Sequence, residues 1–371
     1  MRRVTRNFYL GSKGIGSDFP ISVQSMTKTD TRNINATVDQ IETLTNAGCD
    51  IIRCAVPNIE AAKALKEIIK RINIPLVADI HFEYTLALEA IKSGIQGLRI
   101  NPGNIGAVKR IKQVVSAAKD KGIPIRIGVN SGSLEKDILN KYGSPTSDAL
   151  VESAMRHIVI LDDLNFSDIK VSVKSTNVQI MQESYRKLAT LTNIPLHLGV
   201  TEAGTYKIGS IKSSIGIGGL IVDGIGDTLR VSLTGDPLDE VLMGRNILKA
   251  LGHYENGIEL ISCPGCGRLE INLNELVNEV EKRIADIKVK KSLKVAILGC
   301  VVNGPGEASD ADIGIAGGRG KGQIYKNGKI YKSCKESEIV DILVDEIKNL
   351  NQWGREIEIF KIFSGNPKRS S

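Results

Sequence analysis

Three of the six cysteines in this 371-residue sequence carry the first chemical signal. Cys263 and Cys266 lie in Ser262-Cys263-Pro264-Gly265-Cys266-Gly267-Arg268, a tight turn between a strand-like run and a helix-like one. A helix N-terminus there favours thiolate, the form that ligates metal. One C-x-x-C alone is ambiguous among zinc, a redox pair and an iron–sulfur site. Cys300 is the third candidate, in Leu298-Gly299-Cys300-Val301-Val302-Asn303-Gly304-Pro305-Gly306-Glu307. No second C-x-x-C follows and no His lies in the C-terminal segment, which argues against a closed zinc site. Three thiolates with a weaker fourth ligand suit an iron–sulfur cluster with one reactive iron. Glu307, in a Gly/Pro loop, is the obvious oxygen donor, although by itself it is an ordinary surface Glu. Cys49, Cys54 and Cys334 read as small reduced packing residues.

The second signal is charge inside runs that otherwise look like buried strands. Asp79 and His81 alternate, as do Arg99 and Asn101, then Lys170, Ser172 and Lys174, then Arg230 and Ser232. Arg126 and Asn130 are spaced by four, and Arg53 sits in another such run. Successive strand residues face opposite ways, so each alternating set projects to one side. At the carboxyl ends of barrel strands these sets converge on the mouth, where such enzymes keep their sites. Five or six cations meeting there repel one another unless an anion sits among them, and guanidinium forks match phosphate oxygens. Taken singly, each would snorkel outward to an ordinary salt bridge. As a set they point to a pocket for a phosphate or diphosphate ester. Glu202, just past the seventh strand, is the candidate acid or base, and Thr201-Glu202-Ala203-Gly204 equally reads as the charged start of a helix. His81 fits proton transfer, phosphate binding or a structural role; His157, His197 and His253 carry no such signal.

The elements that must position these residues follow from periodicity. Strands are expected at Ile21–Ser25, Asp50–Ala55, Leu76–Ile80, Gly97–Asn101, Ile125–Asn130, Asp168–Val173, Leu196–Val200 and Asp227–Leu233. Amphipathic runs separate them; Ala61, Leu65, Ile68, Ile69 and Ile72 form one apolar stripe. Three strands are announced alike, by Ile74-Pro75-Leu76, Ile123-Pro124-Ile125 and Ile194-Pro195-Leu196. Eight βα repeats in about 230 residues indicate a TIM barrel over residues 1–255. A doubly wound sheet is the competing fold, and no glycine fingerprint follows the first strand to support it. Residues 256–371 change rhythm and form a smaller α/β domain. Its expected parts are a strand Ile258–Ser262, a helix Arg268–Ile287, strands Lys294–Leu298 and Asp312–Ala316, and a type I′ hairpin about Asn327-Gly328. A final helix carries Ile339, Leu343 and Ile347 on one face.

Composition narrows the function class. Hydrophobic residues are 42% and charged residues 25%, which fits a globular chain and excludes a disordered one. The net charge of +7 is spread out and aromatics are only 4%, so nucleic acid is a poor partner. No 18-residue apolar run or secretory h-region occurs, so no membrane association is expected and the cytoplasm is the expected compartment.

Several segments together resemble a known family. Val23-Gln24-Ser25-Met26-Thr27, Gly199-Val200-Thr201-Glu202-Ala203-Gly204, Arg230-Val231-Ser232-Leu233-Thr234 and both cysteine motifs are similar to the 4-hydroxy-3-methylbut-2-enyl diphosphate synthases. These are iron–sulfur oxidoreductases of the non-mevalonate isoprenoid pathway, and the layout resembles their bacterial two-domain form. The resemblance implies a [4Fe–4S] cluster on Cys263, Cys266, Cys300 and Glu307, in a C-terminal iron–sulfur domain. It implies 2-C-methyl-D-erythritol 2,4-cyclodiphosphate as substrate, held by Arg53, Arg99, Arg126, Lys174, Arg230 and Ser232 with Asn130 and His81 nearby. It further implies Glu202 as acid/base carboxylate, flavodoxin or ferredoxin as electron donor, and a homodimer in which one subunit's cluster domain caps the other's barrel. Gly265 stands where relatives often have Thr, a change that touches no ligand. The competing class is a phosphate-ester barrel hydrolase or transferase with a metal-stapled accessory domain.

Overall fold

Pro75, Pro124 and Pro195 cannot donate to a β-ladder, yet each carbonyl accepts from the neighbouring strand. Ile52 N, Leu98 N and Val171 N reach them at 3.0 Å each. The chain thus leaves a helix and enters the sheet at each proline, as the repeated Ile-Pro-aliphatic pattern requires. The computed structural model describes every residue except 102–104, 106, 107, 254–256, 286, 288, 290, 291 and 351–371. It divides into two compact units, Met1–His253 and Tyr254–Ser371. The boundary expected at 255/256 falls on residues outside the described set.

In the first unit, eight parallel strands follow one another around a barrel: Ser22–Met26, Ile51–Ala55, Leu76–Asp79, Gly97–Ile100, Ile125–Asn130, Ile169–Lys174, His197–Leu198 and Thr228–Leu229. The last returns to the first, with Thr228 opposite Ser22. A single parallel bridge, Val171 to Leu196, closes the ring between the sixth and seventh. All eight expected strands are present, which removes the doubly wound alternative. The last two are shorter than their apolar runs suggested. Beyond the eighth, the amides turn to other acceptors: Leu233 N donates to the Glu240 carboxylate at 3.1 Å and Thr234 N to Gly204 O at 2.9 Å. Helices cover the outside through apolar stripes. Ile59–Ile69, for example, buries Ala61, Ala62, Leu65 and Ile68, and Asn58 caps it by accepting from Ala61 N at 2.9 Å.

The amino-terminal end of the barrel is closed by a hairpin that periodicity did not reveal. Phe8–Leu10 pairs antiparallel with Lys13–Ile15, and Gly11 makes the turn at φ +57°. Phe8, Leu10 and Ile15 pack on Ile51 and Val77. Strands of three residues are too short to register as alternation. The basic start is structural as well: Arg2 donates to the buried Asp227 carboxylate at 2.8 Å and to Gly226 O at 3.1 Å.

The second unit is a five-stranded mixed sheet. Ile258–Ser262, Leu293–Leu298 and Ile313–Gly318 run parallel, and Lys321–Lys326 and Lys329–Lys335 extend the sheet antiparallel. Asn327 and Gly328 both take positive φ, +50° and +77°, the signature of the expected type I′ turn. The helix expected from Arg268 begins later, as Leu273–Ile284. The preceding residues stay in a turn in which Leu269 N bonds Cys266 O and Glu270 N bonds Gly299 O. The run read as a Gly/Pro loop contains a short helix, Gly304–Ser309. Its glycines serve close packing, since a side chain at Gly304 would meet Ala316 Cβ at 2.9 Å. Ile339, Leu343 and Ile347 are buried from helix 339–350. No described helix is long and apolar enough to cross a membrane.

Arg2→Ala leaves Asp227 buried with only Thr5 Oγ1 and Leu196 N as donors. It should lower the unfolding free energy by about 2–3 kcal/mol in denaturant titrations. A loss below about 0.5 kcal/mol would show that the terminal segment does not support the barrel floor.

Candidate active site

Barrels of this kind ordinarily fill their inward positions with Val, Ile and Leu. Here the strand register carries charge around the interior. Asp79 lies opposite Arg99, Arg99 opposite Arg126, Arg126 opposite Lys170, and Asn130 opposite Lys174. All eight residues expected to hold an anion (Arg53, His81, Arg99, Arg126, Asn130, Lys174, Arg230 and Ser232) line one cavity of about 120 Å³. Asp79, Ser172 and Thr201 complete its wall. A wider cavity of about 560 Å³ shares His81, Arg99, Asn130 and Thr201 with it and adds Glu202 and the turn Ser131–Ser133.

Two buried carboxylates hold this cationic wall in place. Asp79 Oδ1 accepts from Arg99 Nη1 at 3.0 Å, while Arg53 Nε and His81 Nε2 lie 3.7 and 3.5 Å from Oδ2. Burial alone would raise the Asp79 carboxyl, but Arg53, His81 and Arg99 outweigh it and hold the group well below the usual carboxylate range. Glu240 is the other anchor. It accepts from Arg230 Nη2 at 3.1 Å and from Leu233 N at 3.1 Å, so one side chain fixes both flanks of Ser232. Sequence reasoning missed Glu240. A signal existed: it shares a helical stripe with Pro237, Val241, Gly244 and Ile247, all buried, where an acid is out of place.

The cations outnumber these anchors, and their proton affinities record it. Burial, then the charges of Arg126, Arg230, Arg53 and Arg99, push the Lys174 ammonium well below its ordinary value. Burial with Arg53 and Arg99 does the same to Arg126. Deeper in the barrel, burial and Arg126 lower Lys170 to about 7. Arg126 Nε and Nη1 and Lys170 Nζ are buried without a hydrogen-bond partner among the described residues. An interior of this kind favours a ligand carrying more than one negative charge. Two glycines, Gly128 in its strand and Gly199 just past the seventh, make room for it. A Cβ at Gly128 would stand 2.7 Å from Arg99 Nε, and one at Gly199 would stand 2.5 Å from Lys174 Nζ and 2.6 Å from Arg230 O.

Glu202 lies at the rim in a turn, with its backbone in the left-handed region at φ +51°. That conformation is uncommon for a residue with a Cβ and costs of order 1–3 kcal/mol, and such strain collects at functional sites. The next helix begins only at Tyr206, capped at Thr205, so Glu202 is not a helix N-terminal charge. His197 Nδ1 pairs with Thr228 Oγ1 at 2.8 Å inside the barrel, and His157 Nε2 lies 2.7 Å from Glu135 Oε1.

In the second unit, Cys263 follows strand Ile258–Ser262 directly and Cys300 comes two residues after its neighbour Leu293–Leu298. The two strands are parallel, so both thiols stand at one sheet edge. The Glu270 N to Gly299 O bond ties the first cysteine loop to the second. Backbone amides, that of Asn303 foremost and then Val302, lower the Cys300 thiol below its ordinary value, with help from the charge of Arg268. Cys266 is exposed, and Glu307 lies on the short helix beyond Cys300. A favoured thiolate among three thiols and a carboxylate on neighbouring loops is a donor set suited to a soft metal centre. The described side chains do not close on one point: no group of three or more His, Cys, Asp or Glu among them stands at metal-binding separation. Cys49, Cys54 and Cys334 are buried free thiols.

A parallel barrel that gathers cations and a strained carboxylate at its carboxyl end is the architecture of an enzyme of phosphorylated small molecules. The chain belongs to the GcpE family: the GcpE TIM-barrel domain matches residues 5–245 and the GcpE protein C-terminal domain matches residues 259–349. It is 60% identical over 351 residues to the 4-hydroxy-3-methylbut-2-en-1-yl diphosphate synthase (flavodoxin) of Clostridium acetobutylicum, covering 94% of this chain and all of that one. The proteins of the same name from Clostridium tetani and Geobacter sulfurreducens are 60% and 53% identical, each match covering 94% of this chain and 99% of the relative.

Binding of inorganic pyrophosphate should return a proton to Lys174, because the anion offsets the neighbours that depress it. The complex then holds more protons than the free protein, so affinity should fall as pH rises. Titration calorimetry in buffers of differing ionisation heat should show net proton uptake. No uptake and a flat pH profile would contradict the buried-cation picture.

Proposed function

We propose that this protein performs the two-electron reductive ring opening and dehydroxylation of 2-C-methyl-D-erythritol 2,4-cyclodiphosphate. The product is (E)-4-hydroxy-3-methylbut-2-enyl diphosphate, an isoprenoid precursor of the non-mevalonate pathway. Written for the fully protonated acids, substrate, two electrons and two protons give product and one water. The observation that carries the reading is the cavity in which Arg53, Arg126, Lys174 and Arg230 surround a space with more positive charge than Asp79 and Glu240 balance. The relatives' shared name supports the same product.

In this reading Arg53, Arg126, Lys174 and Arg230 take the diphosphate, with Arg99, Ser232, Asn130 and His81 completing its contacts. Fixed cations stabilise the diphosphate as negative charge develops on its bridging oxygen when the C–O bond breaks. Asp79 and Glu240 keep the Arg99 and Arg230 guanidinium groups in place without reorganisation. Glu202, at the rim of the adjoining cavity, holds or takes the proton required by the departing oxygen. Cys263, Cys266, Cys300 and Glu307 are the residues that would hold a [4Fe–4S] cluster, whose chemistry when bound is to supply electrons singly. Flavodoxin or ferredoxin is the proposed external donor. A homodimer is also proposed, and an exposed stripe of Ile208, Ile211, Ile215 and Val222 supports it, since isolated chains rarely leave such a face to water. Six free cysteines accord with a cytoplasmic setting.

Anaerobic turnover of the cyclic diphosphate, together with iron and sulfide analysis, tests the assignment. Glu202→Gln should keep the cluster absorbance near 400 nm and bind substrate normally, with kcat reduced by about 100-fold or more. Turnover retained in that variant would remove Glu202 from the reaction, and stoichiometric zinc without sulfide in the native chain would remove the cluster.

A further inference from the structure

The second unit carries a basic hairpin that the chemistry above does not use. From Ile313 to Lys335 the sequence contains Arg319, Lys321, Lys326, Lys329, Lys332 and Lys335 and no Asp or Glu. Folding concentrates them on the paired strands Lys321–Lys326 and Lys329–Lys335 and the turn before them. Lys329–Lys335 ends the sheet, and apart from Cys334 all its residues are exposed. Lys326 already pairs with Glu346 at 2.6 Å; the other five cations make no salt bridge among the described residues. Between them Ile330 and Tyr331 are 61% and 53% exposed. Lysines on an edge strand guard against edge-to-edge pairing. That role explains the presence of charge. It explains neither the single sign nor the two apolar side chains left at the centre.

Position adds a second observation. The parallel strands end at the cysteine edge, and the register pairs Gly318 with Lys321 and Lys321 with Lys335. Arg319, Lys321 and Lys335 therefore stand at the same edge of the sheet as Cys263 and Cys300. Two strand spacings, about 10 Å, separate strand Leu293–Leu298, which leads to Cys300, from strand Lys321–Lys326. We propose that hairpin 319–335 is the docking surface for an acidic electron-donor protein of the flavodoxin class, with Ile330 and Tyr331 at its centre and the unpaired cations as its rim. The nature of the donor rests on the function proposed above. The surface itself rests on charge and exposure; Arg319, Lys321 and Lys335 stand at the cysteine end of the sheet, and Lys329, Ile330 and Tyr331 lie toward its other end. Opposite charges steer the encounter, and a small apolar centre suits a partner that must leave after each electron.

The test uses the full-length holoenzyme under anaerobic conditions. Binding of a purified bacterial flavodoxin is measured by calorimetry at low and high salt, and turnover is driven either by that flavodoxin or by reduced methyl viologen. The double variant Lys329→Glu and Lys332→Glu keeps the edge strand charged, so its guard against aggregation survives. It should bind flavodoxin about tenfold or more weakly and raise the KM for flavodoxin equally, leaving viologen-driven turnover unchanged. Tyr331→Ala should weaken binding while preserving its salt dependence. Flavodoxin binding and KM within about twofold of the native chain would overturn the proposal. So would a matching loss of viologen-driven turnover, or a change in sedimentation mass showing that the hairpin meets a second copy. Absence of viologen-driven turnover in the native holoenzyme would instead reject the proposed reaction, and flavodoxin binding would still decide the docking surface.

Discussion

Asp79 and Glu240 are two negative charges set against at least five buried or half-buried cations, and the rest of the barrel site depends on that imbalance. Like charges about 6 Å apart repel by about 3 kcal/mol at an effective dielectric of about 20. Part of this repulsion is offset inside the fold: Arg99 and Arg230 are tied to the two carboxylates, while burial and the neighbouring cations push Lys174 and Lys170 below their ordinary values. Arg126 keeps two buried nitrogens without a partner among the described residues. The unspent positive charge is what a diphosphate meets.

The backbone yields to this arrangement. Gly128 and Gly199 stand where a Cβ would strike Arg99 and Lys174, so two positions in and just beyond the strands give up side-chain packing to let cations cross the interior. The short eighth strand has the same origin, because Glu240 takes the Leu233 amide and shapes the loop around Ser232. The apolar work is shifted elsewhere, to the helices outside and the hairpin Phe8–Ile15 beneath. Arg2 joins that floor to Asp227, so the barrel is closed at one end and open at the other.

Much of this was legible in the sequence because a strand's period of two is short and the barrel repeats it eight times. Polar residues at alternate positions, such as Lys170, Ser172 and Lys174, can be assigned to one face without knowing the fold. The Ile-Pro pattern marked three strand starts for a reason the hydrogen bonds bear out. What escaped lacked a period. Thr201, Phe82 and the turn Ser131–Ser133 line the wider cavity from loops. The strand pairs of the amino-terminal hairpin are three residues long, and the helix Gly304–Ser309 hides in Gly and Pro because it must lie close on its sheet. Glu240 escaped differently. Its partners are Arg230 and the Leu233 amide, and only their contact shows that a helix residue serves the strand ends.

The two units divide the chemistry, anion binding in one and soft ligands in the other, and the cations of the first unit make the sharper physical claim. It is tested most directly by the crystal structure of the chain soaked with 2-C-methyl-D-erythritol 2,4-cyclodiphosphate. The expected result is the diphosphate among Arg53, Arg126, Lys174 and Arg230, with Asp79 and Glu240 still holding their arginines. A diphosphate bound elsewhere, with those cations turned to protein carboxylates, would contradict it.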